Sequence, residues 1–327
     1  LKKVGFTTSI PVEIIFAADL TPIDLNNVFI TAENPGEYID TAENEGFPRS
    51  TCAWIKGIYS AILKAKDIDT IIGVIEGDCS NTRALTEVLA LRGIKSIPFS
   101  YPNSRVYDQL KSEIFKLLAT FNVSIEKCIK VKKDLDRIRQ GLNYLDELTW
   151  KHNKATGFEN HLWQVSSSDM NGDYKVFEKK LRTKIEEIEV REEKVDAVRI
   201  GYIGVPPIIG EIYSFIESLD ARVVFNEVQR QFTMSHGVGT DDIVEVYRQF
   251  TYPYTLDSRI EDIKKQIEVR KIDGIIHYTQ AFCFRAIEDI VIRNELDVPV
   301  LTVEGDRPGN IDARTKLRIE SFVDMLK

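Results

Sequence analysis

The feature that most constrains this chain is an alternation. Short apolar runs rich in β-branched residues lie at Val4–Thr7, Thr70–Ile75, Ser96–Phe99, Arg199–Ile203, Arg222–Asn226, Gly274–Tyr278 and Pro299–Val303. Each is bounded by Gly, Pro or acidic residues, as strands buried on both faces tend to be. Helical periodicity fills the intervals, at Val12–Ala18, Ala53–Lys66, Thr82–Arg92, Val106–Phe121, Asp241–Phe250, Ile260–Arg270, Phe284–Asn294 and Ala313–Leu326. Strands separated by helices need crossover connections, so the expected fold is α/β with mainly parallel sheets covered on both faces. Ligands on such sheets bind beyond the carboxyl ends of the strands.

The middle of the chain breaks the alternation. Ser124–Trp150 carries apolar residues at Cys128, Val131, Leu135, Ile138, Leu142 and Leu145, a three-four spacing that predicts one long amphipathic helix. A polar stretch, Lys151 to Asp173, comes next and holds no strand candidate. A charged helical run follows from Val176 to Val195. Three units are therefore expected: an α/β lobe over 1–123, a helical segment over 124–196 and a second α/β lobe over 197–327.

The two lobes echo each other. Val4-Gly5-Phe6 recurs as Ile200-Gly201-Tyr202, and Pro11 as Pro207, at a constant offset of 196. Ile68-Asp69-Thr70-Ile71-Ile72 recurs as Ile272-Asp273-Gly274-Ile275-Ile276 at an offset of 204, and at that offset Cys79 falls on Cys283 without a gap. Matched apolar strands alone are ordinary fold grammar. Matched cysteines at matched strand ends carry more information.

Four cysteines in 327 residues do not make a disulfide framework. Cys52, Cys79 and Cys283 each fall at a predicted helix start, where free amides and the helix dipole favour thiolate and should lower the thiol pKa. Cys128 sits in the apolar stripe of the long helix and reads as core. If the strand ends of both lobes face each other, three thiolates meet. Such a trio suits a [4Fe-4S] cluster with one iron left open. Zinc competes for thiolates, but the paired C-x₂₋₄-C spacing of structural zinc sites is missing. Three buried apolar cysteines are the third reading.

Composition removes other classes. With 43 Lys plus Arg against 51 Asp plus Glu, the formal net charge is −8, which argues against a nucleic-acid footprint. No apolar run reaches the ~20 residues that span a bilayer. The opening LKKVGFTTSIPVEII reads as strand and helix rather than a secretory leader, so a cytoplasmic location is expected. There is no P-loop and no glycine-rich dinucleotide fingerprint after the first strand, so ATP hydrolysis should belong to a partner.

The segments VGFTTSIPVEIIFAADLTPIDL, PRSTCAWIKGIYS, GVIEGDCSN, DGIIHYTQAFCF and PVLTVEGDRPGNIDARTKLRIESF, spread from Val4 to Phe322, together resemble the 2-hydroxyacyl-CoA dehydratase and benzoyl-CoA reductase component family, which includes double-cubane cluster proteins. The resemblance implies α/β lobes with a helical portion and a [4Fe-4S] cluster held at the matching positions Cys52, Cys79 and Cys283. It also implies single electrons from an ATP-hydrolysing activator that has its own cluster. The subunit would be a homodimer or a heterodimer with a paralogous subunit, acting on an acyl-CoA, although no dedicated CoA-binding motif can be matched. An alternative within the family is a double-cubane [8Fe-9S] centre that reduces other small molecules. Another is a relay subunit without chemistry of its own.

Acid candidates surround these segments. Glu13 opens the first helix, where a carboxylate also serves plain capping electrostatics. Glu76 and Asp78 flank Cys79 and could move protons, and Glu304 follows the last strand with Asp306, Arg314 and Arg318 beyond. Trp54 could shield a cluster from water. Ser80 and Asn81 could hydrogen-bond a sulfide or cap a helix. His277, inside a strand, reads as a satisfied core histidine, and His236 as part of a glycine-rich loop.

Overall fold

The alternation folds into two sheets of matching topology. The computed structural model describes residues 2–194 and 197–327. Its strands are β1 (Lys3–Phe6), β2 (Thr21–Asp24), β3 (Thr70–Glu76), β4 (Lys95–Ser100), β5 (Val198–Gly204), β6 (Ile209–Gly210), β7 (Ala221–Asn226), β8 (Gly274–Gln280), β9 (Val300–Gly305) and β10 (Gly309–Asn310). The first sheet has the order β2-β1-β3-β4 and the second β7-β5-β8-β9, all parallel. β6 and β10 form a separate short parallel pair.

The registers repeat as well. Gly5 and Phe6 of β1 face Ile71 and Ile72 of β3, while Gly201 and Tyr202 of β5 face Ile275 and Ile276 of β8. The two sequence offsets are one strand pairing seen twice. In each sheet the chain first builds outward on one side and then crosses to the other. The reversal lies between β1 and β3, and again between β5 and β8, where α/β proteins open a ligand crevice.

β2 was not among the expected strands. Its four residues, Thr21-Pro22-Ile23-Asp24, include a proline that lacks a donor, which an edge strand tolerates. Asp24 then caps the next helix, Leu25–Ile30, by accepting the Asn26 amide at 2.9 Å. The turn after Cys283 differs from the expected single helix. It is a 3-10 turn, Phe284–Glu288, followed by the helix Asp289–Glu295.

The long helix runs Ile125–Trp150, with Ser124 capping it. Cys128, Leu135, Ile138, Leu142 and Leu145 are all buried, in a core shared with Ile14 and Tyr247. Two buried ion pairs tie this helix to both halves. Arg139 meets Glu13 at 2.7 Å, and Asp146 meets Arg270 of the helix Leu256–Arg270 at 2.5 Å. The polar stretch 151–173 holds a further helix, Gly157–Ser166, opened by a Thr156/Glu159 capping box. The second helical run is Tyr174–Glu189. Its expected end at Val195, and the boundary at Asp196, lie outside the described residues.

Candidate functional site

Two of the three candidate cysteines owe their place to a strand end and the third to a helix start. Cys79 stands three residues past the end of β3 and Cys283 three past the end of β8. Cys52 is the residue before the helix Ala53–Lys64. The turn that delivers Cys79 depends on Gly77, whose φ is +89°. A Cβ there would lie 2.7 Å from Tyr101 Cβ and 2.8 Å from the Pro253 carbonyl oxygen, so only glycine fits.

Cys52, Cys79 and Cys283 line one cavity of about 390 Å³. Its walls come from both halves. The first contributes Thr7-Thr8-Ser9 after β1 and Asp78 after β3, and the second contributes Val205-Pro206-Pro207 after β5 and Gln280 of β8. The helix Gly157–Ser166 supplies His161 and Val165, with Asp169 just beyond. Most of the remaining wall is apolar, including Ile55, Val228 and Phe232.

Backbone amides face the three sulfurs in the same way. The Asn81 amide donates to Cys79 Sγ at 3.4 Å. The amides of Trp54 and Ile55 face Cys52, and that of Arg285 faces Cys283, without closing capping hydrogen bonds. The helix-start argument nevertheless fails on thiol acidity. Burial dominates, raising Cys52 to about 11 and Cys79 to about 12, and it raises Cys283 as well. With their pKa values raised the thiols favour the protonated form, and a metal's positive charge would be needed to favour thiolate. Among the described residues no three His, Cys, Asp or Glu side chains are grouped to hold a single metal ion. The donor set is therefore three soft thiols spaced around a shared space. That fits a polynuclear centre, whose thiolates bind different irons, better than zinc, which gathers its ligands about one point.

The acid candidates separate. Asp78 lines the cavity, and burial raises its carboxyl to about 6. Glu13 does not line it. Its carboxylate is buried in the core, paired with Arg139, and accepts the Tyr247 hydroxyl at 2.7 Å. Glu76 is exposed and accepts the Asn103 amide at 3.1 Å. Glu304 is exposed on β9, and Asp306, Arg314 and Arg318 also stand outside the lining. Trp54 lines the cavity with its ring edge-on to Phe29. Ser80 is exposed. His277 is a core histidine, its Nδ1 2.7 Å from Asp289. The loop of His236 packs onto the long helix through Lys132 and the Gly237 carbonyl at 3.1 Å.

Three lining residues were not anticipated. Burial lowers His161 to about 4, and its ring stacks on Tyr213. Asp24 and Asp169 are buried side by side, the Asp24 amide donating to Asp169 Oδ2 at 2.8 Å. Burial, and then the Asp24 charge, raise Asp169 to about 7, and burial raises Asp24. The Thr156-x-x-Glu159 capping signature was the available sign that a helix crosses this region and brings His161 and Asp169 to the wall.

Comparison with known families decides the relationship. Residues 7–326 match the family described as 2-hydroxyglutaryl-CoA dehydratase, D-component. The chain belongs to this family. It is thus an enzyme component of the 2-hydroxyacyl-CoA dehydratase type. No curated protein matches the chain. Among the described residues, no helix of this D-component family member is long and apolar enough to cross a membrane.

Proposed function

We propose that this D-component family member is the cluster-bearing subunit of a low-potential 2-hydroxyacyl-CoA dehydratase or reductase. In this reading Cys52, Cys79 and Cys283 hold one [4Fe-4S] cluster. An ATP-hydrolysing activator delivers single electrons, and the subunit works as a dimer with itself or a paralogue. The observation that carries the reading is the meeting of these three thiols, from distant segments of both halves, at one cavity beyond the strand ends. When bound, the cluster supplies low-potential electrons and a Lewis-acidic iron.

The chain's own groups prepare the site. Apolar walls keep water from the substrate. The Asp78 carboxyl, raised to about 6 by burial, stands beside Cys79 where it can take up and release a proton. Arg285, held by Glu288 at 3.0 Å and by the Tyr252 carbonyl at 2.9 Å, fixes the turn after Cys283 and puts positive charge behind it. Neutral His161 contributes polarity without charge.

The test is anaerobic purification with iron and sulfide counts. About four irons per chain are expected, and Cys79→Ala or Cys283→Ala should lose them. Full iron occupancy in both variants would overturn the assignment. Roughly twice the iron would point to the double-cubane form.

A further inference from the structure

The cavity's unpaired polar atoms and its charge select among substrates. Ser9 Oγ, Trp54 Nε1 and Gln280 Oε1 are buried at its wall, and among the described residues none of them has a hydrogen-bond partner. Ser9 is 3% exposed and Gln280 1%. The Gln280 amide is oriented by its other end, since Nε2 donates to the Asp306 carbonyl at 2.8 Å. That leaves Oε1 as a free acceptor. Buried polar atoms without partners are costly, so a ligand that supplies partners gains from them. Two donors from the first half and one acceptor from the second match a ligand with a carbonyl and a hydroxyl.

Charge sets the other limit. The ionisable groups at the wall are mainly acids, namely Asp24, Asp78 and Asp169. The oxygens of Asp24 already accept from Asn26 and Ser168, and those of Asp169 from Asn171 and Asp24. Arg285 is the one cation among the described lining residues apart from His161, which burial keeps neutral. Arg285 is 8% exposed and engaged by Glu288 and Tyr252. A second carboxylate on the substrate would enter an apolar, acid-lined space with no free cation, and an unpaired buried charge is strongly disfavoured.

We propose that this cavity takes a 2-hydroxy thioester with a neutral apolar tail, held by Ser9, Trp54 and Gln280, and rejects the dicarboxylic tail that the family description names. The inference rests on the acyl-thioester reading of the same cavity. Calorimetric titration of the anaerobically purified protein tests it, using the pantetheine thioesters of 2-hydroxy-4-methylpentanoate and 2-hydroxyglutarate, with iron counted in the same samples. The neutral-tailed thioester should bind at least roughly tenfold more tightly. Ser9→Ala and Gln280→Leu should each weaken it by roughly three- to tenfold. Equal or tighter binding of the charged-tail thioester overturns the inference, and so does unchanged affinity in both variants. Binding of neither thioester also overturns it. In that case the iron count tells whether the cluster reading survives or falls with it.

Discussion

Replacing Glu13 with Gln should destabilise the protein rather than switch off a catalytic acid. Glu13 is fully buried, as is Arg139 apart from 2% of its surface. One carboxylate oxygen pairs with Arg139 at 2.7 Å and the other accepts from Tyr247 at 2.7 Å. Removing one member of a buried pair typically costs about 3–5 kcal/mol, because the remaining charge is stranded. Here Asp136 still lies 3.2 Å from Arg139, so the lower end, about 3 kcal/mol, is expected. The Gln amide also presents a donor where the carboxylate faced Arg139 and the Tyr247 hydroxyl. Glu13→Gln combined with Arg139→Met removes both charges and should recover a large part of the loss, giving a coupling energy of about 1–3 kcal/mol in a denaturant-unfolding cycle. The reasoning is refuted if Glu13→Gln unfolds at the wild-type denaturant concentration while turnover collapses. That outcome would assign the carboxylate to chemistry.

Other expectations follow from the same geometry. Cys128→Ala removes a core sulfur from the long helix, so it should lower stability by about 1 kcal/mol and leave the iron count of anaerobic preparations unchanged. Gly77→Ala forces a Cβ onto Tyr101 and Pro253 at positive φ. It should cost about 2 kcal/mol or more and lower iron content, read by thermal unfolding and metal analysis together. Asp169 has a folded pKa of about 7, raised by burial and by Asp24. An unfolded carboxyl of ordinary pKa loses its proton first, so the folded state binds more protons between about pH 4 and 7 and stability falls as pH rises through that window. Asp169→Asn should flatten that slope in urea titrations. A slope equal to wild type would refute the assignment.

Long, strongly patterned elements were legible. The seven expected strands and the Ser124-capped helix all form, because β-branched runs and a sustained three-four stripe have one way to bury themselves. Thr21–Asp24 was not legible. Four residues containing a proline make an edge strand only once β1 offers its free side. At the site, the meeting of Cys79 and Cys283 was readable from the repeat, since both follow equivalent strands by the same three residues. Thiol acidity was not, because exposure is decided by the cavity rather than by helix position. Glu13 looked catalytic for a related reason. Its sequence neighbours sit at a strand end, but its partner Arg139 lies 126 positions away on a helix whose face becomes known only after packing.

The matching topology of the two halves makes their one difference at the cavity, three thiols rather than four, informative. A copied pair of lobes could have offered two cysteines from each half. The stretch of the second half that lies 196 to 204 residues beyond Cys52 runs from Arg248 to Leu256 and contains no cysteine. Within it, the buried Tyr252 reaches the same cavity wall. Its carbonyl holds Arg285 at 2.9 Å, and its ring lies 4.3 Å from that guanidinium. The first half therefore brings two thiols and two of the acids. The second brings one thiol, backed by a fixed cation. This asymmetry gives the cavity a polarity that two identical lobes could not. The Arg285 guanidinium opposes the rise that burial imposes on the Asp78 carboxyl, so a cation from the second half answers an acid from the first at the Cys79–Cys283 side of the cavity.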